Sequence, residues 1–475
     1  MSDFAALNTA LSGLVAHRRA SEQIGHNIAN VNTEGYSRTR LELTSAGAGA
    51  VPAVFARPRM QGDGVNVSSL LRVRDEFLER RSLTEQGSSS QLAKTKEILG
   101  RVEASFPEPG DTGLAAQMSE FWAAWDDVAN NPASLGTRTQ LLERATTVAQ
   151  SLNRASADLT GLRDSTVDQL KVMVSEVNGY ADRIAELNNA IQNAVSSDLP
   201  ANDLQDQRDV LIEKVARLTG ASTRDLANGM VEVRIGGALL VSGTRSNALG
   251  APAETAPPSG NAATDAVNWP SVSISANGYP VQFPGGEIGG LVDAANNMLP
   301  SYLDRINDVA TTLANDVNAV HANGFGLNDA GPASPARAFF AFTPGVGAAA
   351  GITLTTGVNG VSGNPANVAV SSAPGQLDGS IAQQLAAMHD STTGADASYR
   401  AMMADLGVAS QTAQRRSQIQ DAITTQVDAQ RKSVSGVNLD EEMVNLTMTQ
   451  HAYAASAKLM TTIDQMIQTL INLGS

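Results

Sequence analysis

The sequence predicts a mainly α-helical fold with minor β structure, in which segments from both ends of the chain form a long coiled-coil-like helical bundle. Apolar residues return every three or four positions over residues 3 to about 31 and again from residue 437 onward, which is the spacing of an amphipathic helix. A heptad-like apolar pattern also runs from Leu152 to Ile191 and predicts a rod-like helix of about forty residues. Short alternating stretches between the helices predict β-hairpins and irregular β excursions.

The amino-terminal helix is predicted from apolar positions that share one face. These positions are Phe4, Leu7, Leu11, Leu14, Ile24, Ile28 and Val31. From Asn32 to Tyr36 the sequence contains Asn, Thr and Gly, which favour capping and positive-φ conformations. We therefore expect the helix to end in a turn there.

The carboxy-terminal helix has a broader apolar face. Asn438 is a candidate N-cap, and the acidic residues at 440–442 favour the positive end of the helix dipole. Its apolar positions are Leu439, Met443, Leu446, Tyr453, Met460, Ile467 and Leu470, widened by Val444, Met448, Leu459, Ile463, Met466 and Leu473. A lone helix would leave this face in water, so we expect it to pair with the amino-terminal helix. Periodicity alone leaves open that both are core helices of an ordinary bundle.

Between the two ends, residues 37–72 are expected to be extended and residues 74 to about 218 to be mostly helical. Trp122 and Trp125 lie on the apolar face of one of these helices. We interpret them as core residues rather than as a platform for a ligand, because large aromatic side chains most often fill cores.

The second half of the chain alternates between β segments and helices. A Gly-Gly pair between alternating residues predicts a two-residue hairpin, and tracts rich in Gly, Pro, Ser and Ala predict surface loops. The predicted elements are a hairpin at Gly236-Gly237, a loop at 248–268, a helix from Gly289, an irregular β segment at 325–378 with strands at 352–356 and 368–371, and helices from Ile381.

Composition excludes several functions. The formal net charge is −15, and the absence of a basic run argues against nucleic-acid binding. Cysteine is absent, which removes disulfides, thiolate metal sites and cysteine nucleophiles. No uninterrupted apolar stretch is long enough for a membrane span, and the first residues lack the pattern of a cleaved signal peptide.

The sequence offers little for catalysis. The five histidines show no metal-ligand spacing, and no phosphate loop, dinucleotide fingerprint or nucleophile elbow is present. We therefore expect no catalytic residue, no cofactor and no metal. Asp206, Arg208 and Asp209 are interpreted as ion-pairing groups that fix a helix corner, because close carboxylates on a polar face are common without chemistry.

Two segments resemble those of a known family. The stretch from Ala6 to Arg38 contains SGL, then NIAN and TxGY, whose residues include Asn27, Ile28, Asn30, Gly35 and Tyr36. It resembles the amino-terminal signature of flagellar rod, hook and hook-associated proteins. The sequence SGVNLDEE, residues 435–442, is similar to the carboxy-terminal signature of the hook-associated members that join hook to filament.

The resemblance implies a structural component of the bacterial flagellum that links hook to filament by helical self-assembly. The implied partners are further copies of the chain, hook protein, the next junction protein and a cytosolic export chaperone at the carboxy-terminal helix. It also implies an extracellular location reached by type III export without a cleaved signal. Alternatives are another axial protein of the hook or distal rod, an exported wall-degrading enzyme, and a secreted coiled-coil adhesin or translocator.

A discontinuous domain organisation follows. Residues 1–44 and 432–475 are expected to form a terminal coiled-coil assembly domain, residues 45–335 and 379–431 a helical middle domain with a β-hairpin region at about 222–285, and residues 336–378 a reduced outer β domain. The predicted assembly interface consists of Leu7, Leu11, Leu14, Asn27, Ile28, Asn30, Gly35, Tyr36, Leu439, Met443, Leu446, Tyr453, Met460, Ile463, Ile467 and Leu470.

Overall fold

The computed structural model describes residues 2–46, 64–255 and 270–473, and within these it describes all side chains except those of residues 2–5, 470 and 473. The helices are α1 (Ser2–Ala29), α2 (Glu76–Ala104), α3 (Leu114–Asn130), α4 (Leu135–Ser196), α5 (Asn202–Thr219), α6 (Gly286–Asp293), α7 (Leu299–His321), α8 (Ala348–Gly351), α9 (Ser380–Ala386), α10 (Ala395–Ser435) and α11 (Leu439–Leu473). A π-helical segment, Ala294–Met298, connects α6 to α7.

The strands are short and antiparallel. They are β1 (Thr39–Ser45), β2 (Val65–Arg72), β3 (Ser222–Asp225), β4 (Val231–Ile235), β5 (Ala238–Ser242), β6 (Arg245–Ser246), β7 (Ala253–Thr255), β8 (Ser271–Ser273), β9 (Ser275–Ala276), β10 (Tyr279–Pro280), β11 (Phe340–Phe342) and β12 (Ile352–Leu354). Strands β3-β4-β5-β6 form one four-stranded sheet, and the others pair in twos. The predicted fold class, mainly α with minor β, is confirmed.

The chain divides into two units, each made of discontinuous segments. Unit 1 contains Met1–Gln86, Asn178–Asn247 and Asp421–Ser475, and unit 2 contains Gly87–Val177 and Ala248–Gln420. The division falls inside α2, α4 and α10, so each of these helices contributes to both units. The division into assembly, middle and outer domains stays a prediction.

In unit 1, the four-stranded sheet is held to α4 by one buried amide. Asn188 donates its two Nδ2 hydrogen bonds to the carbonyl oxygens of Val231 (2.8 Å) and Gly243 (2.7 Å). The predicted hairpin is confirmed between β4 and β5, where Gly236 has φ 55°, a conformation that favours glycine.

In unit 2, aromatic side chains of α3 fill the core. Trp122 and Trp125 are 4% and 0% exposed, which confirms their interpretation as core residues. The Phe121 ring lies 4.8 Å from that of Trp122 and 6.0 Å from that of Phe340, centroid to centroid. Trp122 donates its indole N–H to Asp396 Oδ2 at 2.7 Å, so the buried donor is satisfied.

The segment that follows α7 is joined to the core of unit 2 by His321, which is fully buried. His321 Nε2 accepts a hydrogen bond from the Ala369 N–H at 2.8 Å, so Nδ1 is the protonated nitrogen and donates to the Arg337 carbonyl, also at 2.8 Å. The buried Arg138 donates to the Val368 carbonyl at 2.5 Å. Burial lowers the pKa of Arg138 to about 10.

Two sequence predictions are corrected. Residues 253–255, expected in a loop, form β7 and pair with β8, while residues 256–268 of that loop lie outside the described residues. Residues 368–371, expected as a strand, form only an isolated bridge between Phe325 and Ser371 in the described chain. The physical reason is that side chains replace a partner strand: His321 accepts the Ala369 N–H, and Arg138 donates to the Val368 carbonyl.

Candidate assembly interface

Helices α1 and α11 of unit 1 pack against each other. A Cβ atom at Gly13 would lie 3.3 Å from the Ser456 hydroxyl oxygen, and Asn27 Nδ2 lies 3.2 Å from Glu442 Oε2. Residue numbers therefore rise along α1 as they fall along α11. The pair is antiparallel, a direction that the sequence left open.

The buried amide of Asn27 fixes the base of this pair, by which we mean the end where the last turn of α1 meets the first turn of α11. Asn27 is 2% exposed, and its Oδ1 accepts hydrogen bonds from the Thr39 N–H (3.2 Å), the Thr39 hydroxyl (3.1 Å) and the Tyr36 hydroxyl (2.8 Å). Its Nδ2 donates to the Thr39 carbonyl (3.0 Å) and to Glu442. Because its polar atoms are bonded, Asn27 can be buried without a desolvation penalty. It connects α1 to β1 and to α11.

A second connection uses charge. Arg38 Nη1 lies 2.8 Å from Glu441 Oε2 and 4.0 Å from Glu442 Oε1. The Glu441 side chain is 60% exposed, whereas that of Glu442 is 4% exposed. An exposed ion pair contributes little, so the buried Glu442, which is bonded by Asn27, is the stronger link.

The turn after α1 is anchored to α5 by a cluster of ion pairs. The Ser37 N–H donates to Asp206 Oδ2 at 3.1 Å. Arg72 Nη1 bridges Asp206 Oδ1 (2.9 Å) and Asp209 Oδ2 (2.8 Å), and Arg208 Nη2 lies 3.2 Å from Asp209 Oδ1. Burial alone would raise the pKa of Asp209, but the facing guanidinium groups hold it below its usual range. The predicted ion-paired helix corner is confirmed.

Burial raises the pKa of Asp206, against the opposing effect of Arg72, and burial also raises the pKa of the Tyr36 hydroxyl. Both shifts follow from the low polarity around the turn. Each group acts as a hydrogen-bonding partner within the chain, which gives these ionisable groups a structural role.

Helix α11 begins at its predicted cap and carries two apolar faces. Asn438 Oδ1 accepts the Asp440 N–H at 3.0 Å. On the face toward α1, Ile463 is 3% exposed. A second face, which we call the outer seam, follows alternating 4- and 7-residue steps through positions 444, 448, 455, 459 and 466, an 11-residue repeat that stays on one side of a helix. Its members Val444, Met448, Leu459 and Met466 are 54, 64, 49 and 53% exposed.

The predicted interface residues differ in exposure. Asn27 and Ile463 are buried within this chain, so their side chains hold the helix pair together. The half-buried residues are Leu7, Leu14, Ile28, Asn30, Tyr36, Leu446, Met460 and Ile467. The exposed ones are Leu11, Gly35, Leu439, Met443 and Tyr453. The side chains of Phe4, Leu470 and Leu473 lie outside the described part, and the interface assignment stays a prediction.

Sequence reasoning missed Thr39 and Arg72, and it assigned Glu442 only to the helix dipole. Thr39 occupies the first position of a short polar strand, where no periodicity distinguishes it. Glu442 lies in an acidic run whose three members look alike in the sequence. Only the long-range hydrogen bonds to Asn27 identify both residues.

The described residues contain no group of three or more His, Asp or Glu side chains placed to hold a metal ion. In the same part of the chain, none of the helices combines the length and apolarity needed to cross a membrane.

Comparison with protein families gives three consistent matches. Residues 99–340, just over half of the chain, match the family described as the flagellar hook-associated protein FlgK helical domain. Residues 7–36 match the flagella basal body rod protein family, and residues 429–473 match the carboxy-terminal family of basal body rod FlgEFG proteins. The first rod-type match covers most of α1 and the turn after it, and the second covers the end of α10 and all of α11.

Relatives extend this likeness over the whole chain. Flagellar hook-associated protein 1 of Bacillus subtilis is 27% identical over 99% of this chain and 98% of its own length. The protein of the same name from Escherichia coli is 24% identical over 98% of this chain and 99% of its own length.

A solved structure, the flagellar hook junction protein FlgK of Burkholderia pseudomallei, superposes with a TM-score of 0.61 over 75% of this chain and 100% of that chain. Its 17% sequence identity supports a shared fold. These relatives are structural flagellar proteins. Together with the family match over half of the sequence, they show that this chain belongs to the FlgK family of flagellar hook-associated proteins, structural components of the hook–filament junction of the bacterial flagellum.

Proposed function

We propose that this protein assembles into a helical array through the outer seam of α11 and the exposed apolar residues of α1, and that its neighbours there are further copies, hook protein and the next junction protein. One observation carries the proposal: α11 has two apolar faces, and α1 covers only one of them. Covering each half-exposed Leu or Met of the outer seam would contribute about 1 kcal/mol or more.

The geometry of the pair suits such assembly. Contacts between two different surfaces of identical subunits generate a helical array when the rotation does not close. The antiparallel pair supplies two different surfaces, since Leu11 on α1 is 44% exposed and the outer seam lies on α11. We therefore infer that neighbouring copies pack helix pair against helix pair in the wall of a tube.

The same outer seam also explains how the chain is handled before assembly. An exposed apolar stripe favours self-association, and a cytosolic export chaperone that covers α11 would prevent this. We infer type III export without a cleaved signal and an extracellular position at the hook–filament junction.

The role is structural rather than catalytic. In support, the buried and half-buried ionisable groups at the corner of α5, Arg72, Asp206, Arg208 and Asp209, are bonded to one another and to backbone. We assign residues 1–44 and 432–475 to assembly, residues 45–335 and 379–431 to the middle domain, and residues 336–378 to a reduced outer domain.

Three aspartate substitutions on α11 test the proposal. Leu459→Asp places a charge on the outer seam, Ile463→Asp places one against α1, and Gln465→Asp is the control at an exposed polar position. We expect Leu459→Asp to abolish incorporation into hook–filament structures while thermal unfolding of the monomer changes by at most about 0.5 kcal/mol.

Ile463→Asp should lose both incorporation and protection of α11 from hydrogen exchange, and Gln465→Asp should lose neither. Leu459→Asp should weaken binding of the export chaperone, whereas Gln465→Asp, the other exposed substitution, should not. Normal incorporation of the Leu459→Asp protein, measured by immunoblot of isolated hooks, would overturn the proposal.

A further inference from the structure

A long run of the chain is uncharged. Between Arg337 and Asp378 there is no Asp, Glu, Lys, Arg or His, although charged residues make up 17% of the whole sequence. This run, residues 338–377, contains β11, α8 and β12, and we call it the uncharged lobe. A stretch of this length without charge is unusual for the surface of a protein whose formal charge is −15.

Both charged residues at its borders are held by hydrogen bonds, but only Arg337 is neutralised by an opposite charge. Arg337 makes two hydrogen bonds to the carboxylate of Asp329, at 2.5 and 2.7 Å, and the two side chains are 11% and 12% exposed. Asp378 accepts hydrogen bonds from the hydroxyls of Ser372 (2.6 Å) and Ser380 (3.0 Å). The lobe therefore presents no charge of its own, and of the two charges that border it only that of the exposed Asp378 lacks an ion-pair partner among the described residues.

The lobe is folded, and it still exposes apolar side chains. Phe340 and Ile352 are buried beneath it, at 1% and 0% exposed. Its outer side chains include Val346 at 53%, Val358 at 93% and Leu377 at 48% exposure. Backbone groups of the loop around Val358 are bonded within the lobe, since Asn367 Nδ2 donates to the Val358 carbonyl at 3.0 Å. Val358 is thus held outward by an ordered loop.

We propose that the uncharged lobe contacts the uncharged lobe of a second copy of this chain in the assembled structure. The inference rests on the helical self-assembly proposed above. Copies that each carry a formal charge of −15 repel one another, and burying charged groups at a contact costs free energy. A lobe without charge is the surface where identical copies approach at the least cost.

A contact between copies in a helical array joins two different surfaces of one chain. Because residues 338–377 carry no charge, any two sides of the lobe can meet without repulsion between charges of the lobe itself. Interface cores are depleted in charged residues, and the exposed Val346 and Val358 provide the apolar contact.

Cross-linking tests the contact directly, because the chain has no cysteine. The probes are the single variants Val346→Cys and Val358→Cys, with Val172→Cys on α4, 69% exposed, as control. Isolated hook–filament structures are treated with a flexible bis-maleimide. We expect covalent dimers of this chain from the two lobe variants and none from the control.

A second experiment introduces a charge into the lobe. Val358→Asp should reduce incorporation about tenfold at low ionic strength, because it adds a negative charge at a contact between chains that each already carry a formal charge of −15, and added salt should weaken this repulsion. Val172→Asp should show no loss.

Each outcome decides between the two proposals. If all cysteine variants are incorporated but the lobe variants stay monomeric, or cross-link to hook or filament protein instead, the lobe inference is overturned. The same holds if Val358→Asp is incorporated normally at low salt. If the Leu459→Asp protein enters the structures normally, the helical self-assembly proposed above is overturned instead, whatever the lobe variants show.

Discussion

Two helices of this protein, α7 in unit 2 and α11 in unit 1, are both amphipathic, yet they bury very different shares of their apolar residues. On α7, Leu303, Ile306, Leu313 and Val317 are all 0% exposed. Among the described side chains of α11, only Glu442 and Ile463 are buried, each at 3% exposed. The side chains of α7 named above are fully buried within one chain, whereas α11 has apolar surface that the described residues leave exposed.

The largest expected effect is in the aromatic core. Phe121→Ala removes a fully buried ring that contacts Trp122, Trp125, Phe339 and Phe340, and it should lower the free energy of unfolding by about 3–5 kcal/mol. Denaturant unfolding measures this loss. Hydrogen exchange of α11 should stay unchanged. If α11 lost as much protection from exchange as α7, its stability would depend on the same core, and the contrast between the two helices would be wrong.

A smaller effect is expected from pH. Burial lowers the pKa of His321 to about 4, below its ordinary value of about 6.5. The unfolded chain therefore binds a proton first, so stability is complete above about pH 6.5 and falls as the pH drops toward 4, by about 3 kcal/mol in all.

The nearby guanidinium groups of Arg337 and Arg138 add to this penalty. His321→Gln, compared with the unsubstituted protein in denaturant unfolding at pH 7, 6, 5 and 4.5, should flatten the profile. If the free energy of unfolding fell with pH as steeply as in the unsubstituted protein, other groups would be the cause of the lower stability in acid.

The smallest effect concerns the base of the helix pair. Asn27→Ala removes the acceptor of the Thr39 N–H and the amide donor to Glu442 Oε2, at a cost of about 1–3 kcal/mol. Hydrogen exchange should become faster in α1 and in the first turn of α11 while unit 2 is unaffected. Asn8→Ala, at an exposed position on the same helix, is the control. Equal exchange in both variants would mean that Asn27 does not hold the pair.

Local pattern was sufficient to predict much of the fold. Apolar spacing predicted α1 and α11, and the Gly236-Gly237 pair predicted the β4–β5 hairpin. The long helix was predicted at about forty residues, whereas α4 spans 62. Most of the extra length arises because the helix already begins at Leu135, just after the Pro132 break. Leu141, Ala145 and Val148, all 0% exposed, continue the heptad spacing on the amino-terminal side of Leu152.

The remaining features depend on distant parts of the chain. Asn27 and Glu442 are 415 positions apart, and Ser37 and Asp206 are 169 apart. No local periodicity encodes such contacts. For the same reason, the sequence could not show which of the apolar positions on α11 face α1 and which form the outer seam.

The antiparallel pair also sets an order of events during biosynthesis. α1 leaves the ribosome before its partner α11, which follows after more than 400 further residues. Closing so long a loop is slow, so α1 stays single while the segments between the two helices fold. We expect the two helices to meet last, and a chain threaded through a narrow channel would have to separate them again.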